Sequence, residues 1–89
     1  MPRVALTTHL VRHVACPDES VPGKTVRGAL EAYFERHPRV RSYVLDEQAM
    51  LRRHVVVFVD GEQARDRKGL SDEVGEGAEI YVMQALSGG

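Results

Sequence analysis

The clearest helix in this chain limits every fold open to it. Within Thr25–Arg36, Val26, Ala29, Leu30, Tyr33 and Phe34 fall at i, i+3, i+4, i+7 and i+8, which makes a single apolar stripe. Thr25 is a fair N-cap. Pro38 ends the helix near His37, because the residue before a proline disfavours helical angles. The stripe must lie on something, and the rest of the chain offers strands. Val55-Val56-Val57-Phe58-Val59 is β-branched, apolar on both faces and closed by Asp60-Gly61, the pattern of a buried strand entering a tight turn. A last strand runs from Glu79 to Leu86. Ile80, Val82 and Leu86 point one way, and Tyr81, Met83 and Ala85 the other. Both of its faces are largely apolar, so it too belongs in the middle of a sheet.

Weaker signals fill in the remainder. Arg3 to Thr8 reads as a first strand with imperfect alternation. His9 to Cys16 is ambiguous. Pro17 to Gly23 holds two prolines and a glycine, so a strand there is short and at an edge. Gly28 costs the helix up to about 1 kcal/mol relative to alanine, a loss that close packing on a sheet would offset. Val40 to Arg53 reads as polar and irregular, anchored by Tyr43, Val44, Leu45, Met50 and Leu51. Glu62 to Glu79 reads mostly as loop, with Leu70 and Val74 as its buried contacts. The expected fold class is α+β, a small mixed sheet with one main helix over one face. If the first and last strands are neighbours, they run parallel around the crossover helix. Eighty-nine residues make one domain. Residues 1–86 read as that domain and 87–89 as a tail.

Composition excludes several classes. A net charge of −1, and basic clusters such as Arg52-Arg53 without interleaved aromatics, argue against nucleic-acid binding. No apolar stretch is long enough to span a bilayer. Arg12 and His13 interrupt what would have to be a signal core, and a lone cysteine, Cys16, suits a reducing compartment, so the cytoplasm is the expected location. Charge is uneven along the chain. Asp60 to Glu79 carries seven acids against three bases, which reads either as a solvated face or as a docking patch, close to the tail, for a basic partner. His9, His13 and Cys16 would share one helical face, but a fourth zinc ligand is not evident, so no metal site is expected. There is no G-x-x-x-x-G-K-[ST] or G-x-G-x-x-G loop to bind a nucleotide.

The chain closes on Ser87-Gly88-Gly89, directly behind the apolar strand. Glycine has no Cβ, so its backbone can enter a slot too narrow for other residues. This tail, with Thr25-Val26-Arg27-Gly28-Ala29-Leu30, the strand and turn His54 to Glu62, and the approach Asp72 to Ile80, resembles the ubiquitin-like β-grasp sulfur carriers. That family includes the small subunit of molybdopterin synthase, the thiamine-pathway carrier and free-standing carriers of cysteine and thio-metabolite pathways. The long Arg36–Arg53 segment is more similar to the free-standing members. The chain departs from many members in having no proline just before the tail.

The resemblance implies a β-grasp fold and a protein that is a co-substrate rather than an enzyme. Gly89 would be adenylated by a separate ATP-dependent enzyme of the ubiquitin-activating type. A sulfur donor would displace AMP to leave a thiocarboxylate, whose sulfur passes to an acceptor enzyme. The carrier itself would bind no cofactor. Gly88 and Ser87 would thread the partner's channel, and Tyr81, Met83 and Leu86 would give an apolar contact beside it or serve as ordinary packing. The free chain is expected to be a monomer. Three further readings stay open: a covalent protein modifier, a tight subunit of molybdopterin synthase, and a non-covalent β-grasp module. The final thio-product, the donor, the acceptor and the role of Cys16 are not written in the residues.

Overall fold

The computed structural model describes residues 1–7 and 17–84. Within them the elements are β1 (Arg3–Leu6), β2 (Glu19–Ser20), α1 (Val26–Arg36), α2 (Pro38–Val44), β3 (Val55–Val59), β4 (Glu62–Gln63) and β5 (Glu79–Gln84). The strands form one sheet in the order β2-β1-β5-β3-β4. β5 is central. It runs parallel to β1, with Val4 opposite Ile80 and Leu6 opposite Val82, and antiparallel to β3, with Val57 opposite Val82. The two apolar runs that read as central strands are therefore neighbours, and β1 joins β5 around the crossover through α1.

Alternation decides which residues meet the helices. Val4, Leu6, Val55, Val57, Ile80 and Val82 are buried on one face of the sheet. Against them pack Val26, Ala29, Leu30, Tyr33 and Phe34, the whole stripe of α1. Each large aliphatic side chain taken fully out of water contributes roughly 1.5–3 kcal/mol. Thr25 caps α1 by accepting the Gly28 N–H at 3.0 Å, a contact worth about 1 kcal/mol. The helix ends as expected at Arg36, with His37 as its C-cap.

The segment after Pro38 is not irregular throughout. Pro38–Val44 forms a second helix, with Val40 and Val44 one turn apart and both buried. Proline suits this start because its missing N–H falls among the donors that a first turn leaves unpaired in any case. Two buried positions are too few for the spacing to stand out in sequence. Gly28 also has a different role from the expected one. A Cβ there would meet Thr25 Oγ1 at 3.4 Å and Gly23 Cα at 3.7 Å, so its neighbours are the cap and the incoming chain rather than a strand. The close approach belongs to Gly23, whose Cα lies against the first turn of α1.

Two polar devices fix the loops. Arg27 extends from α1 and donates from Nε to Gly69 O at 2.8 Å, and from Nη2 to Ala49 O at 2.8 Å and Lys68 O at 3.2 Å. Its own N–H donates to Leu70 O at 2.8 Å. Ala49 (φ 62°) and Leu70 (φ 55°) are both left-handed, a conformation that costs a residue with a Cβ on the order of 1–2 kcal/mol. Burial of Leu70 and the charge-assisted bonds of Arg27 offset that cost. At the other edge, Glu19 on β2 accepts from Arg36 at 2.8 Å and contacts His37 Nε2. These partners, His37 foremost and then Arg36, hold the Glu19 carboxyl below its usual range. Tyr33, fully buried, donates its hydroxyl to Pro17 O at 2.8 Å and so brings the β2 approach onto α1.

Asp66 folds the 66–71 loop around its carboxylate. It accepts the Ser71 hydroxyl at 2.6 Å and the N–H groups of Gly69, Lys68 and Ser71 at 2.9, 3.2 and 3.3 Å. The Ser71 hydroxyl, then the Gly69 and Ser71 N–H groups, pull its pKa from 3.8 down to about 2. A lowered native pKa means that the ionised form is the one bound. The contribution of Asp66 is thus fully present above pH 3.8 and is lost as pH falls towards about 2. Amide exchange at Gly69 and Ser71 is expected to accelerate over that window relative to the sheet amides. In Asp66→Asn the loop should already be open at pH 5. Equal protection in the variant and the parent at pH 5 would contradict the assignment.

Candidate functional site

The face of the sheet turned away from the helices has no covering layer among the described residues. Strand alternation that buries Ile80 and Val82 turns Tyr81 and Met83 outward, as the sequence predicts. The register then aligns an apolar row across three strands: Ala5 and Phe58 both lie directly opposite Tyr81, and Val56 lies opposite Met83. Tyr81 is 41% exposed, one of two large apolar side chains left open among the described residues. Arg3, Ala5, Asp18, Phe58, Tyr81 and Met83 line a shallow groove of about 550 Å³. Arg3 and Asp18 pair at 3.1 Å on its rim.

Of the residues singled out in the sequence, Tyr81 and Met83 are brought together here. Leu86, Ser87, Gly88 and Gly89 lie outside the described residues, as do His9, His13 and Cys16. Sequence reasoning missed Ala5 and Phe58 as members of this face. Phe58 carried the needed signal, because it alternates with Val57 and Val59, but assigning it required knowing that β5 sits beside β3. Among the described residues, no cluster of three or more His, Cys, Asp or Glu is placed to hold a metal ion. No described helix is long and apolar enough to cross a membrane.

The two ends of the sheet differ in charge. β5 starts at Glu79, where Asp60 accepts the Glu79 N–H through Oδ1 at 2.9 Å and returns its own N–H to Glu79 O at 2.9 Å. Asp60 (φ 50°) and Gly61 (φ 87°) form the two-residue hairpin turn into β4, both with the positive φ that a type I′ turn requires. Glu62, Glu73 and Asp72 cluster with Asp60 at this end. This part of the acidic segment sits where β5 begins, roughly 17 Å from Gln84 at about 3.3 Å per residue. Three of its acids also have structural work: Asp60 and Asp66 as described, and Asp72 by accepting the N–H groups of Arg65 and Asp66 at 2.8 and 2.9 Å. Those two N–H groups lower the Asp72 pKa. At the opposite end, Gln84 pairs with Val55, next to Arg53 and His54, and Arg67 reaches the Arg52 carbonyl at 3.5 Å.

A five-stranded mixed sheet with a parallel first-and-last pair, wrapped on one main helix, is the ubiquitin-like β-grasp. Solved structures share it over the full chain. A chain of the BexX/CysO complex of Amycolatopsis orientalis is 27% identical, with TM-score 0.81 and complete coverage of both chains. SAMP1 of Haloferax volcanii is 29% identical, with TM-score 0.76 over 99% of this chain and 98% of its own. CysO of Mycobacterium tuberculosis, at 20% identity and TM-score 0.80 over 97% of this chain and all of its own, shares the fold. No curated protein sequence matches the chain. The model of the ThiS family matches residues 11–89, and the chain belongs to that family. It is thus a ubiquitin-like β-grasp protein of the sulfur-carrier type.

Proposed function

We propose that this protein carries sulfur as a thiocarboxylate on Gly89, made through an acyl-adenylate by a separate ATP-dependent enzyme. The observation that carries the reading is the family match, which runs through the terminal glycine pair. A carboxylate is a poor electrophile, since its charge repels nucleophiles and oxide is a poor leaving group. Joining it to AMP supplies a good leaving group. Sulfide attacking the carbonyl carbon forms a C–S bond, AMP departs and the thiocarboxylate remains. A persulfide donor instead forms an acyl disulfide, and a second thiol of the donor then attacks the donor's own sulfur, breaking the S–S bond to release the thiocarboxylate and leave a disulfide on the donor. Ser87 and Gly88 thread the partner's channel, and the chain binds no cofactor of its own. The apolar row of Ala5, Tyr81 and Phe58, with Met83 beside it, supports a docking role for the open face, and Leu86 extends that contact towards the tail. The cytoplasm, where ATP and reduced sulfur donors coexist, is the assigned location.

Intact mass spectrometry of the untagged protein from its native cells tests the reading. Expected is a mass gain equal to replacing one oxygen by sulfur, absent when Gly89 is deleted. Only unmodified mass, in cells where the pathway is active, would sink it. A second reading has one observation behind it: the Haloferax volcanii structure at 27–29% identity is that of a small archaeal modifier protein. Joining Gly89 to lysines of other proteins would appear as larger conjugates that vanish with Gly89.

A further inference from the structure

The groove on the open face is not uniform along its length. Its apolar lining is Ala5, Phe58, Tyr81 and Met83. Its charged lining is Arg3, Asp18 and Glu79. All three gather at the end where β5 begins, because Arg3 lies opposite Glu79 in register and forms its ion pair with Asp18. Arg3 and Asp18 offset each other's charge. Glu79 is left over. It is exposed, and its carboxylate makes no hydrogen bond or ion pair among the described residues.

A second carboxylate stands at the same end. Asp60 follows Val59, the partner of Ile80, so it faces Glu79 across the strands. Its Oδ1 accepts the Glu79 N–H at 2.9 Å, which fixes the group in place. No base pairs with Asp60 among the described residues. Like charges facing each other across strands are destabilising. A cation brought by an occupant of the groove would relieve them. An acidic end also repels phosphate-rich surfaces, which sets nucleic acid and anionic membrane aside as occupants.

We infer that the groove takes an apolar side chain of a partner protein with a lysine or arginine beside it, the apolar group on Phe58, Tyr81 and Met83 and the cation at Glu79. This deepens the docking role proposed for the open face and rests on it. The apolar row supplies adhesion. The carboxylate supplies direction along β5, because a partner seated the other way round would cover Glu79 without a counter-charge, and an uncompensated charge is costly to desolvate.

Two ions of the same shape and opposite charge separate this from plain hydrophobic adhesion. Tetraphenylphosphonium and tetraphenylborate are each titrated into the purified full chain, and amide shifts are followed by NMR. Tetraphenylphosphonium is expected to shift Ala5, Phe58, Glu79, Tyr81 and Met83, and to bind at least about fivefold more tightly than tetraphenylborate. Glu79→Gln should abolish the preference and Glu79→Lys reverse it. Glu47→Lys, an equal change of charge outside the groove, should leave it as it is. Equal affinity for the two ions, shifts confined to other surfaces, or a Glu79→Lys chain that still prefers the cation would overturn the inference. The partner is then tested in an extract of the native cells supplied with ATP. There the Glu79→Lys chain should gain sulfur at least about tenfold more slowly than the parent at low salt, a gap that narrows as salt is raised. Equal rates at low salt would overturn the inference. A parent that gains no sulfur would instead mark the failure of the carrier reading, and the ion titration would still decide what the groove prefers.

Discussion

One alanine appended after Gly89 is expected to abolish sulfur loading while leaving the fold intact. The reacting carboxyl would move outward by about 3.5 Å, one residue's length. A methyl group would also enter a slot argued to accept only glycine backbone. In-line attack on a phosphorus atom tolerates little of this, since a misplacement of about 1 Å costs on the order of 100-fold. Thiocarboxylate in cells producing the extended chain should therefore fall by at least about 100-fold. The thermal midpoint should not change, because five residues separate the addition from Gln84, the last residue of β5. Sulfur loading at parental levels would show that Gly89 is not the acceptor. Loss of loading together with loss of fold would show that the tail has a structural role not assigned to it here.

The largest effect on stability is expected from Gly23→Ala. A Cβ at Gly23 would sit 2.5 Å from Ala29 N, 2.7 Å from Ala29 Cα and 3.0 Å from Gly28 C. These are backbone atoms of α1 and cannot turn aside as a side chain can. Relief requires lifting the first turn of α1, and with it Ala29 and Leu30, off the sheet. Overpacking of this kind costs about 3 kcal/mol or somewhat more. For a chain of this size that lowers the thermal midpoint by roughly 12–24 °C. Gly75→Ala is the matched control, since a Cβ there meets nothing within 4 Å. If the two variants melt together, the close approach at Gly23 is not a constraint.

How far the fold could be read from the residues depended on how many positions each element commits to the core. α1 commits five in register, and β3 and β5 each bury two alternating positions within a long apolar run, so all three were legible. α2 commits two and β4 none, and neither stood out from the loops around it. Tyr81 and Met83 were legible as outward residues because alternation along one strand suffices. Ala5 and Phe58 were not, because they join the face only through pairing with β5. The close approach was placed on Gly28 although Gly23 makes it. Both glycines flank the cap, and sequence does not tell which one the chain turns against.

The central place of β5 has a consequence for how the protein is made. Of the described elements it leaves the ribosome last, yet β1 and β3 both pair with it. Until it emerges, β1 has only the two-residue β2 beside it, and the sheet is split in the middle. Such long-range pairing is slow to form, because loop closure must precede any contact that rewards it. Translation, folding and readiness for activation are thereby ordered in time. An incomplete chain lacks both the middle of its sheet and the terminus that the partner would act on, so a chain able to offer one has already acquired the other.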